Sequence, residues 1–185
     1  MTKKIELKTE RLLLRPLTLD DADALFEYRS DSEINKYQGW IPKTVGEVHY
    51  FIQNRVSPEL DMVNTWFQFV IIHTESKKVI GDVGIHFLDE EKKQVEIGCT
   101  IHSNYQRKAF ATEALTETIN FLFSSLNKHR ITTSIDPDNH GSIRLVEGLG
   151  FIKEAHFRKS ILVNGQWVDD VIYALLHSDW QNKSQ

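Results

Sequence analysis

Residues 99–114 run Cys-Thr-Ile-His-Ser-Asn-Tyr-Gln-Arg-Lys-Ala-Phe-Ala-Thr-Glu-Ala, carrying an apolar strand pattern through a short polar loop directly into a helical one. A strand that feeds its successor helix in this way leaves backbone N–H groups aimed at one spot, with the positive end of the helix dipole behind them. Such a cup suits a phosphate.

The chain has 185 residues, 41% of them apolar, enough to bury a sizeable core, and it reads as a single domain over 1–185. A formal charge of -4 with no basic stripe points away from nucleic acid as a partner. Cys99 has no second cysteine to pair with, which fits the reducing cytoplasm. The apolar run 12–14 is too short for a signal peptide or a membrane span. A soluble cytoplasmic protein with no membrane partner is expected.

Residues 10–17 are leucine-rich and strand-like, Thr18 with Asp21 forms a capping-box pattern, and Leu19, Ala22, Leu25 and Phe26 keep helical spacing. Thr44 and Glu47 repeat that signature before Val48, Phe51 and Ile52. Stretches 66–72, 79–88 and 94–101 are rich in β-branched and aromatic residues and are separated by polar clusters, which predicts an antiparallel meander. Ala111, Ala114, Leu115, Thr118, Ile119, Leu122, Phe123 and Leu126 keep the rhythm of one buried face of a long helix. Then 131–135 reads as a strand, Asn139 as the N-cap of a short helix, Gly150 as its stop, and Asn164-Gly165 as a hairpin turn between 151–163 and 167–176. The class is mixed α+β.

Several motifs resemble one family. The opening 9–17 with Asp20, Asp21 and Ala22, the Glu96-Ile97-Gly98 step, residues 106–114, Asn139 with Ser142, 147–151, and the closing 170–176 before Trp180 are similar to the Gcn5-related N-acetyltransferases. Within them the chain is closest to the branch resembling the ribosomal-protein N-terminal alanine acetyltransferases. The resemblance spans nearly the whole chain and implies a mostly antiparallel central sheet of about six to seven strands flanked by about four helices. It implies acetyl-CoA as cosubstrate, with the pyrophosphate on Gln106, Arg107, Lys108, Ala109, Phe110, Ala111 and Thr112. The pantetheine arm would lie along Cys99, Thr100 and Ile101, where the family strand splays from its neighbour. The family loop carries glycine where this chain has Ala109, at a cost of roughly 1 kcal/mol if that position is left-handed. Arg107 and Lys108 can offset the loss electrostatically.

Amine acetylation needs a neutral amine, a stabilised oxyanion and a proton for the departing thiolate. Glu96, two residues before Gly98, is the candidate general base; an exposed strand glutamate is the plain alternative. Ser142 can donate a proton to the leaving sulfur or simply occupy a first helical turn. Asn139 can bond the pantetheine arm or act as a cap alone. Tyr173 is a second candidate acid, against the alternative of a buried, hydrogen-bonded core tyrosine. The oxyanion donor is expected to be a backbone N–H around Thr100. Cys99 reads as a small strand hydrophobe, because the resemblance implies direct transfer.

Asp136, Asp138, Gly141, Ile143 and Glu147 fall near calcium-loop spacing, but a strand rather than a helix precedes them, and no histidine pattern fits zinc, so no metal is expected. The acceptor is a protein α-amine or a small amine, with Tyr37, Trp40 and Trp167 as candidate walls and Asp31, Glu33 and Asp169 as candidate attractors of a cation. The rival reading, motivated by Ala109, is a non-catalytic acyl-CoA-binding or regulatory module. A monomer and a homodimer are both compatible with the sequence.

Overall fold

Alternation of buried and half-buried side chains makes Leu12–Pro16 (β2) a strand, paired with the short Leu7–Lys8 (β1) before it. The computed structural model describes residues 5–163 and 165–183. The predicted meander follows as Thr65–His73 (β3), Val79–Phe87 (β4) and Gln94–Ile101 (β5). Arg130–Ile135 (β6), Ile152–Val163 (β7) and Gln166–Leu176 (β8) complete one sheet of order β1-β2-β3-β4-β5-β6-β8-β7. Within that sheet β5 and β6 run parallel, and the other neighbours are antiparallel.

The helices are Ala22–Arg29 (α1), Val45–Arg55 (α2), Phe110–Asn120 (α3), His140–Leu149 (α4) and His177–Lys183 (α5). Their starts follow local chemistry. Thr18 N–H donates to Asp21 Oδ2 at 2.9 Å in the turn that opens α1, and Glu47 N–H donates to Thr44 Oγ1 at 3.2 Å in α2. Asn139 Oδ1 accepts from Ser142 N–H at 3.2 Å, and Gly150 ends α4 at φ 99°.

β3 shows how the two faces are used. Phe69 and Ile71 join the core beneath α3 and α4 with Leu115 and Ile119, while Val70 between them packs with Leu25, Val48 and Ile52 of α1 and α2. Both faces are therefore covered, and the site lies at the middle of the sheet.

Eight strands and five helices are described, slightly more than the predicted six to seven and four. The additions are β1, two residues long and without a pattern of its own, and α5, whose sequence has no apolar periodicity and which docks through Trp180 Nε1 donating to Asn120 Oδ1 at 2.8 Å. Of the predicted hairpin turn, Asn164 lies outside the described residues, and Gly165 takes φ 79°.

Candidate active site

β5 and β6 pair over only three residues, Gln94 with Arg130, Val95 with Ile131 and Glu96 with Thr132. Beyond Glu96 the strands part. The opening is a cleft of about 630 Å³, with Glu96, Gly98 and Cys99 on one wall and Thr133, Ser134 and Asp170 on the other. A second cleft of about 660 Å³ shares Cys99, Asn139 and Ser142 with it and continues along 99–101 to the loop before α3. A larger groove of about 1050 Å³ beside α2 shares Trp66 with the first cleft but contains none of the predicted donor-binding residues.

Strand geometry decides which main-chain groups face this opening. Successive residues send their N–H and C=O to opposite edges of a strand. His102 N–H donates to Ile80 O on the β4 side, and a Cβ built on Gly81 would meet Thr100 O at 2.3 Å, so Thr100 spends its main chain on β4. The odd-numbered residues point the other way, as Ile101 O shows by accepting from Gln106 Nε2 at 2.9 Å. The amides of Ile97 and Cys99 therefore face the splay. Of the amides around Thr100, where the oxyanion donor is expected, that of Cys99 is the one facing the splay.

The loop has the cup geometry. Arg107 and Ala109 take left-handed backbone conformations, φ 59° and 62°. Helical bonding in α3 begins with Glu113 N–H donating to Ala109 O at 3.0 Å, which leaves the amides of Phe110, Ala111 and Thr112 without helical acceptors. Every predicted donor-binding residue except Lys108 lines the second cleft. Lys108 turns back, with Nζ donating to Asn104 O at 2.8 Å.

A brace holds this loop from behind. Arg11 N–H donates to Glu113 Oε1 at 2.9 Å, Arg11 Nε to Glu113 Oε2 at 2.7 Å, and Arg11 Nη1 to Lys108 O at 3.2 Å. Burial pushes the Glu113 carboxyl up, but hydrogen bonds from Thr9 and Arg11 outweigh it and hold the group below its ordinary range. The sequence pattern gave no sign of this brace.

Glu96 is half-buried, and burial first, then the charge of Asp170, push its carboxyl above the usual range. Burial, reinforced by Asp82, pushes the Cys99 thiol up to about 12, so it stays protonated and is no nucleophile. Ser142 sits where the two clefts meet. Tyr173 lies elsewhere: it is 3% exposed, is not among the lining residues, and donates its hydroxyl to Glu147 Oε1 at 3.0 Å. That is a core tyrosine tying β8 to α4, and the expected second acid is withdrawn. Tyr37 lines both clefts, whereas Trp40 stacks on Phe51 at 4.5 Å in the α2 groove and Trp167 is 58% exposed outside the clefts. Asp169 and Glu33 each line one of the two clefts; Asp31 instead accepts from Glu33 N–H at 2.9 Å in its own turn.

The sequence model of the acetyltransferase (GNAT) domain matches residues 11–152. The chain belongs to the GNAT acetyltransferase family. This N-acetyltransferase is 37% identical to an uncharacterized N-acetyltransferase, p20, of Bacillus licheniformis over 94% of its own length and 97% of that protein's. It is 28% identical to the ribosomal protein uS5 alanine N-acetyltransferase of Escherichia coli, covering 96% of this chain and 93% of that one. A GNAT acetyltransferase crystal structure from Bacillus anthracis superposes with a TM-score of 0.83 at 29% identity, over 94% of this acetyltransferase and 99% of that chain.

Proposed function

We propose that this acetyltransferase takes acetyl-CoA as donor and passes the acetyl group directly to a primary amine, either a peptide N-terminus or a small amine, in the cytoplasm. The observation that carries the reading is the early parting of β5 and β6 beside a loop with three unbonded helix-start amides. When bound, acetyl-CoA would supply a thioester carbonyl and a thiolate leaving group.

The loop amides of 110–112, with Arg107, suit a diphosphate, and the Cys99 N–H suits the oxygen that becomes negative during transfer. Glu96 receives the proton that the amine nitrogen loses as its bond to carbon forms. Its raised carboxyl moves it toward the pH at which an amine can be deprotonated. Ser142 donates a proton to the sulfur as the carbon–sulfur bond breaks. Asn139 is committed through Oδ1 to capping α4, so its amide N–H₂ is the part left for the donor arm.

Incubation with acetyl-CoA and a panel of peptides and amines, read by mass spectrometry, tests the assignment. A single acetyl group on the acceptor amine is expected. Coenzyme A binding with every acceptor unmodified would instead favour the non-catalytic module.

A further inference from the structure

We propose that Asp170 is the anchor for the acceptor's ammonium group and selects amines that carry no neighbouring carboxylate. The inference rests on the acetyl-transfer reading and deepens it by naming the acceptor class.

Asp170 is on β8, across the cleft from Glu96, and is 7% exposed. Its Oδ1 accepts from Ser134 Oγ at 2.7 Å, and no cation pairs with either oxygen among the described residues. A buried carboxylate without a cation is costly to keep charged. The other charged residues on the cleft wall are already engaged. Lys36 Nζ lies over the Tyr37 ring at 4.9 Å, Asp169 holds His156 Nε2 at 2.8 Å and Lys159 N–H at 3.0 Å, and Asp136 accepts from Asp138 N–H at 2.8 Å. Glu96 and Asp170 remain, both without a cation, facing one space. The charge of Asp170, after burial, pushes the Glu96 carboxyl up.

A protonated amine supplies the missing charge. It hydrogen-bonds the open Oδ2 of Asp170 and releases its extra proton to water as the neutral amine forms; Glu96 then takes the proton lost as nitrogen bonds to carbon, which balances the one Ser142 gives the departing sulfur. A free amino acid would bring its own carboxylate into the same field and be repelled. A peptide N-terminus, whose neighbour is an amide, or a polyamine, whose neighbour is another cation, would not.

Steady-state kinetics with glycinamide and glycine, on the parent and on Asp170→Asn, tests this. The variant keeps an oxygen for Ser134 and removes the charge. Its KM for glycinamide is expected to rise on the order of tenfold with kcat within about threefold, and the preference for glycinamide over glycine to shrink by a similar factor. Comparing variant with parent cancels the difference in basicity of the two amines. An unchanged KM and preference, in a variant that melts like the parent, would overturn the proposal. Should the variant fail to fold, the parent alone decides: at matched concentrations of protonated amine, the KM for glycinamide is expected to be lower by about tenfold, and equal KM values would overturn the proposal. Transfer without preference refutes Asp170 alone, whereas no transfer to any amine refutes the acetyl-transfer reading and this inference with it.

Discussion

Ala109→Gly isolates the one position where the loop departs from the family pattern. Ala109 sits at φ 62°, ψ 10°, in the left-handed region that an L residue with a Cβ enters at a cost of roughly 1–2 kcal/mol. Glycine removes that cost but makes the unfolded chain more flexible, which offsets about 0.4–1 kcal/mol of the gain. The net is a stabilisation centred on ~0.8 kcal/mol, within about 0–1.6 kcal/mol. For a chain of this size that raises the midpoint of thermal unfolding by about 1–4 °C. The amides of 110–112 already point into the cup with alanine in place, so affinity for coenzyme A is expected to change by less than about threefold. Differential scanning calorimetry and isothermal titration of the two proteins read both quantities. Ala109→Val, with a β-branched side chain at the same φ, is expected to move the midpoint down. If glycine lowered the midpoint, or if valine were tolerated as well as glycine, the loop would not hold its left-handed geometry and the cup as described would be wrong.

Glu96→Gln is expected to lower kcat/KM by about 10²–10⁴ and to abolish the acidic limb of the pH–rate profile. The same variant has a stability signature, because a carboxyl whose folded-state pKa is raised destabilises the fold when ionised. Glu96→Gln should therefore be more stable than the parent at neutral pH, with the gain fading as the pH falls toward the ordinary value of 4.5; chemical denaturation at several pH values reads it. Ser142→Ala is expected to lower kcat by about tenfold or more with KM nearly unchanged, whereas Tyr173→Phe should keep kcat within about twofold and lose about 1 kcal/mol of stability with its bond to Glu147. Glu113→Gln, which weakens the brace from Thr9 and Arg11, is expected to cost about 1 kcal/mol after allowing for solvent around Arg11. Because the Glu113 carboxyl is held below its ordinary range, that contribution is present at neutral pH and disappears as the pH falls through its folded-state pKa.

Local signals carried far in this chain. The capping pairs Thr18 with Asp21 and Thr44 with Glu47, and the stop at Gly150, depend on neighbours in sequence, and they mark real helix ends. The passage from β5 into α3 was legible for the same reason. What stayed hidden depends on residues far apart in the chain. Arg11 and Glu113 are separated by 102 positions and meet only because β2 lies beside α3. Asp170 acquires its place opposite Glu96 from the order of β5, β6 and β8, which no periodicity reveals. Which amide around Thr100 faces the splay depends on which strand edge pairs with β4, and it is that of Cys99. Tyr173 alternates correctly for a strand residue, but only the fold shows that its hydroxyl ends at Glu147.

In the proposed function the donor lies in the splay and on the loop before α3. Hydrogen–deuterium exchange with and without coenzyme A, resolved by peptide, tests it most directly, because unbonded amides exchange quickly until a ligand accepts from them. Slowed exchange confined to 97–101 and 106–112 is the expected result. Slowing in the α2 groove around Tyr50 and Trp66 instead, or no change at 106–112 at saturating coenzyme A, would contradict it.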